Sequence, residues 1–131
     1  MQDKEILVKT IRKRFTDKLK AGEMWFKFIT AVNDIKLAKR ELELMSFINV
    51  RGTISSTSAK NEFCNLFGSS NATISNMVST LTELKLLVKE NGKTRVNPTL
   101  KVDFERDLVI RFYMSVGKEI QPEEVKDEVD K

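Results

Sequence analysis

The 131-residue sequence predicts a mainly α-helical fold that carries a small β-hairpin, an α+β class. Three observations predict it. Apolar residues recur at helical spacing through much of residues 23–86. Two of these windows meet at a tight turn around Gly68. Beyond them, Asn91-Gly92 separates two short runs of strand-forming residues.

Glycines and prolines set the expected boundaries. The N-terminal stretch has two readings. Leu7, Ile11, Phe15 and Leu19 recur every four residues as in a helix, while Ile6 to Ile11 suits a short strand, so residues 4–20 stay open. Between Gly22 and Gly52 two helices are expected. Glu23 to Ile35 carries Trp25, Phe26, Phe28, Ile29 and Val32 in one apolar stripe, the mark of core or dimer packing. Lys36 to Val50 turns Leu37, Leu42, Leu44, Met45 and Ile48 inward, with Lys39, Arg40, Glu41 and Glu43 outward. Arg51 to Thr57 has no apolar period and reads as a loop.

The next segment says most. Ser58 is positioned to cap a short helix through Phe63, Leu66 and Phe67, which Gly68 stops. Ser70 then caps a second helix, about Asn71 to Leu86, with Ile74, Met77, Val78, Leu81 and Leu84 inward. Two helices joined by a tight glycine turn make a helix-turn-helix. Leu87 to Glu90 and Lys93 to Val96 follow as strand, turn, strand. Helix, helix-turn-helix and hairpin in that order are the plan of a winged helix, over residues 36–98. Residues 1–35 would be an extension packed on it, 99–116 would contain a strand at Leu108 to Met114, and 117–131 would be a charged tail. That strand has two candidate partners, the hairpin sheet and Ile6-Leu7-Val8.

Composition excludes several chemistries. There is no histidine, which removes imidazole bases, Ser-His and Cys-His pairs, and histidine-bearing zinc sites. The lone Cys64, flanked by Phe63, Leu66 and Phe67, reads as a small core residue. Five glycines stand singly, so no phosphate-cradling loop is present. The carboxylate pairs Glu41 and Glu43, and Asp103 and Glu105, have solvent-face spacing. The expectation is no enzyme, no cofactor, no metal and no small-molecule substrate. No apolar run approaches the ~20 residues that span a bilayer, and Met1 to Glu5 lacks a basic n-region and an apolar h-region. The expected setting is therefore cytoplasmic, with no membrane partner. Residues 115–131 hold three lysines and six acids; the rest holds 20 basic and 13 acidic side chains, a net of +7.

Several motifs resemble a known family. Leu37-x-x-Arg40-Glu41-Leu42-x-Leu44 opens the core. Phe63-Cys64-x-x-Phe67-Gly68-x-Ser70-x-x-Thr73-Ile74-Ser75 through Leu81-x-x-Leu84-x-Leu86 covers the helix-turn-helix, and Val96-Asn97-Pro98-x-Leu100 ends the hairpin. Together they resemble winged helix-turn-helix proteins of the MarR-like and plasmid or phage replication-protein type, across roughly half the chain. The resemblance implies double-stranded DNA as partner and a recognition helix starting near Ser70. The residues it points to are Ser70, Asn71, Ala72, Thr73, Ser75, Asn76 and Ser79 for bases, with Lys60, Lys89, Lys93 and Arg95 (and Arg51) for phosphate or minor groove. The function implied is a transcription regulator or replication factor of a phage or other mobile element, in keeping with Lys-, Asn- and Ile-rich usage. Against it, Asn71 to Glu83 contains no Lys or Arg, and Glu83 would face the DNA backbone. The alternative is a non-enzymatic structural or adaptor protein that uses the fold for protein contacts, such as a phage virion component. In that case the aromatic helix is a candidate partner or homodimer surface.

Overall fold

The computed structural model describes residues 11–117. Four helices precede an antiparallel hairpin: α1 (Lys18–Val32), α2 (Lys39–Arg51), α3 (Thr57–Phe67), α4 (Asn71–Glu83), β1 (Leu87–Glu90) and β2 (Lys93–Val96). Among the described residues the class is therefore mainly helical with one two-stranded sheet.

Helix α1 starts five residues before the expected Glu23, because Asp17 Oδ1 accepts from the Leu19 N–H at 2.8 Å and caps it there. Gly22, read from sequence as a boundary, is instead a buried contact point inside the helix. A Cβ on it would lie 2.2 Å from Ser46 Oγ of α2, so only glycine lets the two helices approach this closely. Ser46 Oγ in turn donates to the Leu19 carbonyl at 2.6 Å.

Helix α2 is the centre of the molecule. Every side chain from Glu43 to Asn49 is buried, as α1 covers one side and α3 with the hairpin the other. It begins at Lys39 rather than Lys36, where the Glu41 carboxylate accepts from the Ala38 N–H at 2.8 Å. Glu43 does not face outward as expected. It is buried and paired with Arg40 at 2.9 Å and Lys39 at 3.4 Å, which supplies the charge compensation that burial requires. Lys39 also reaches Glu23, whose charge is the leading cause that raises its pKa above 10.5.

Ser56, and not Ser58, caps α3: its Oγ accepts from the Ala59 N–H at 3.1 Å. The helix ends at Gly68 in the left-handed region (φ 66°), where the Gly68 N–H donates to the Cys64 carbonyl at 2.8 Å. Two residues later Ser70 caps α4, accepting from the Thr73 N–H at 3.2 Å. Helix α4 stops at Glu83, not Leu86, because Lys85 turns left-handed (φ 68°). That turn sends Leu86 and Leu87 into the core and leaves Leu84 on the surface, contrary to its expected inward place. The core joins Phe26 of α1, Leu44 and Ile48 of α2, Phe63 of α3, and Ile74 and Leu81 of α4. Phe47 meets Phe63 edge-on with ring centroids 5.4 Å apart.

The hairpin follows expectation. Asn91 (φ 52°) and Gly92 (φ 77°) both adopt the left-handed conformation that a two-residue turn needs, and Leu87 pairs with Val96 at the base. The expected strand at Leu108 to Met114 does not form: residues 101–117 have no strand and pair with no sheet edge. The physical reason lies at β2. Its outward-facing Thr94 N–H donates to Ser55 Oγ at 2.7 Å, and the Thr94 carbonyl accepts from Thr53 Oγ1 at 2.9 Å. The α2–α3 loop thus occupies the β2 edge, one of the two at which a third strand could add. Residues 101–117 instead run without helix or strand, with a turn at 104–105, and they and the adjoining Leu100 are held by single contacts. Asn49 exchanges two 3.0 Å bonds with the Val102 backbone, Trp25 Nε1 donates to the Leu100 carbonyl at 2.9 Å, Lys18 pairs with Glu105, and Phe112 meets Phe28 edge-on at 5.9 Å. The other proposed partner, Ile6-Leu7-Val8, and the charged tail from 118 onward lie outside the described residues. Residues 11–17 are neither helix nor strand, and the helix from Lys18 settles only the end of the stretch left open.

Candidate nucleic-acid interface

Helix α4 is built to present a polar surface. Ile74, Met77 and Leu81 are buried and fix one face against the core, with Val78 half-buried beside them. At 3.6 residues per turn, the opposite face then carries Ala72, Ser75, Asn76, Ser79 and Glu83, with Asn71 and Thr73 flanking the first turn. Every one of the helix residues expected at a DNA surface, and the cap Ser70, is exposed. From Ser69 to Thr82 there is no ionisable side chain. The only fixed charge on the first turns is the partial positive charge of the helix N-terminus.

Lys89, Lys93 and Arg95 are all exposed on the hairpin, but the register divides them. Arg95 faces Val88 and Lys93 faces Glu90, while Lys89 faces Thr94. Because side chains alternate across a strand, Lys93 and Arg95 share one side of the ribbon and Lys89 lies on the other. Glu90 stands cross-strand from Lys93 and lowers the net charge of that side. None of these three cations, nor Lys60, forms an ion pair among the described residues.

Lys60 lies half-buried on α3, the helix that braces α4. Arg51 is engaged rather than free: its guanidinium bonds Glu62 at 3.0 Å across the α2–α3 corner. Cys64 is partly buried against the core, its Sγ 3.7 Å from Asn71 Oδ1. Two cations not singled out from the sequence join this region. Lys85 is exposed in the left-handed link between α4 and β1, and the chain signal for it was the abrupt Leu84-Lys85-Leu86 change from helical to strand pattern. Lys101 donates to the Asn49 carbonyl at 3.3 Å and, with Arg95 and Glu90, rims a cavity of about 130 Å³ beside the C-terminus of α2.

A second cavity of about 260 Å³ lies between α1 and the α4–β1 link, lined by Thr30, Asn33, Leu84, Lys85, Leu86 and Leu100. It brings together no acid–base pair. Among the described residues no group of three or more His, Cys, Asp or Glu side chains is gathered, and no helix is long and apolar enough to cross a membrane. No protein-family model, curated protein or solved structure matches the chain.

Proposed function

We propose that α2, α3, α4 and the hairpin form a winged helix-turn-helix that binds double-stranded DNA, with α4 in the major groove and Lys93 and Arg95 on phosphate. One observation carries the reading. A helix braced by a tight-turn partner presents an exposed, carboxylate-free polar surface from Ser70 to Thr82, beside a hairpin whose cations have no ion-pair partner among the described residues. Lys60 and Lys85 add charge at its flanks. The protein would act by occupying a site, as a transcription regulator or replication factor of a phage or other mobile element, and not by catalysis. Phosphate contacts dominate non-specific affinity, so the test is a fluorescence-anisotropy titration with mixed duplex at several salt concentrations. The expected log–log slope corresponds to about three or four released counterions, from the cations of hairpin and flanks. Binding that is absent at low salt would refute the reading.

A second reading is favoured by a different observation. Val109, Met114 and Val116 are each about four-fifths or more exposed, within a segment where Leu108, Ile110, Phe112 and Tyr113 are also exposed. Such a surface suits protein contacts in a structural or adaptor component. If the chain then fails to bind DNA but associates through this segment, Val109→Lys and Val116→Lys would disperse it in light scattering.

A further inference from the structure

The exposed groups of α4 have a narrower chemistry than DNA binding alone requires. Base pairs differ in the major groove by what they offer. Guanine O6 and N7 are read by Arg or Lys, and the cytosine amino group by Asp or Glu. Adenine N6 and N7 are read by Asn or Gln, and the thymine C5 methyl by Ala or the Thr methyl. From Ser69 to Thr82 the helix and its cap hold no Arg, Lys, Asp or Glu. They do hold two exposed carboxamides, Asn71 and Asn76, and four exposed methyl carriers, of which Ala72 and Thr73 lie in the first turn and Thr80 and Thr82 near the far end.

We infer that α4 recognises A·T base pairs by direct contact in the major groove and makes no contact specific to G·C pairs; this rests on the DNA-binding reading above. The hydrogen bonds within the helix sharpen the assignment. Ser70 Oγ is occupied, accepting from the Thr73 N–H at 3.2 Å and sharing a 3.0 Å bond with Thr73 Oγ1. The hydroxyl of Thr73 is thereby engaged and its methyl is the group left for a base. Asn71 Oδ1 lies 3.7 Å from Cys64 Sγ, so its Nδ2 is the more available half.

Asn76 is different. Its backbone carbonyl accepts from Thr80 Oγ1 at 3.2 Å, but its carboxamide has no hydrogen-bond partner among the described residues. It keeps both halves that adenine needs: Nδ2 to donate to N7 and Oδ1 to accept from N6. Ala72 lies on the same stripe one turn earlier, about 6 Å along the axis, within one to two base pairs of the Asn76 contact. Ser75 and Ser79 hydroxyls serve any base and leave the preference unchanged. Glu83, the first carboxylate on this face, is about 16 Å from Ala72 along the helix, away from the end that leads into the groove.

The test uses the full chain and three fluorescent duplexes of equal length: one of A·T pairs in mixed order, one of G·C pairs, and the A·T duplex with deoxyuridine in place of thymidine. The A·T duplex is expected to bind about tenfold or more tightly than the G·C duplex. The two salt slopes should be equal, because phosphate contacts are common to both. Removing the thymine methyls should weaken binding about threefold, and Asn76→Ala should bring A·T to within about threefold of G·C by weakening A·T binding more than G·C binding. Asn76 is exposed, and unchanged far-UV circular dichroism confirms that its variant folds. Equal binding of A·T and G·C duplexes, with the salt slope intact, overturns A·T recognition and leaves DNA binding standing. A preference that survives both Asn76→Ala and deoxyuridine overturns direct contact and assigns the preference to duplex shape. No binding to any duplex at ~50 mM salt overturns A·T recognition together with the DNA-binding reading beneath it.

Discussion

Residues 87–96 and residues 108–114 are both rich in β-branched and long apolar side chains, yet only the first stretch pairs into a sheet. In the hairpin, Asn91 and Gly92 adopt positive φ and return the chain on itself, so each strand finds its partner two residues away. Its base is then sealed by Leu87 and Val96 in the core, and its outer edge by the hydroxyls of Thr53 and Ser55. Leu108 to Met114 has no turn to return it, and the β2 edge is already occupied. It keeps the composition of a strand and the exposure of a surface loop. Strand propensity describes a half-buried pleated surface, and where no such surface is offered it decides nothing.

That contrast can be broken from the hairpin side. Leu87→Ala should cost about 2–4 kcal/mol in urea denaturation, since a fully buried leucine leaves both lost transfer energy and a cavity. A loss near zero would mean the hairpin base is not part of the cooperative core. Ser55→Ala deprives the Thr94 N–H of its acceptor and should cost about 1–2 kcal/mol. The same variant should speed hydrogen exchange at Thr94, and unchanged protection there would contradict the edge argument. Gly92→Ala isolates the turn, because a Cβ there meets nothing within 4 Å. Its cost should be about 1 kcal/mol, from the left-handed backbone alone.

From the other side the effects should be small. Val109→Thr should change stability by no more than about 0.5 kcal/mol, the range of surface substitutions. A loss comparable with that of Leu87→Ala would show that the segment is covered by something the four helices and hairpin do not provide. The smallest effect is a titration. Glu105 holds the Lys18 ammonium above its ordinary 10.5, first through a hydrogen bond and then through its charge. Any stabilisation from this pair is present below that pH and fades as pH rises through the raised value. In Glu105→Gln the Lys18 pKa, followed by NMR, should fall back toward 10.5.

The elements carrying local signals were legible in the sequence. Ser70, Gly68 and Asn91-Gly92 marked the start of α4, the end of α3 and the hairpin turn, because each acts on backbone a few residues away. What escaped depended on distant partners. Gly22 has the local pattern of a stop but is required by Ser46 packed against it, Glu43 has the spacing of a solvated residue but lies where both sides of α2 are covered, and the β2 edge is taken by hydroxyls about forty residues earlier in the chain. The surface of α4 was readable because its apolar period named the opposite face. The sides of the hairpin were not distinguished, since only the register separates Lys89 from Lys93 and Arg95.

DNA binding through α4 and the hairpin is tested most directly by an amide NMR titration of the labelled protein with duplex DNA. Chemical shifts should change along residues 70–79 and at Lys93 to Arg95, with residues 108–116 unmoved. Shifts confined to 108–116, or none anywhere at low salt, would contradict it.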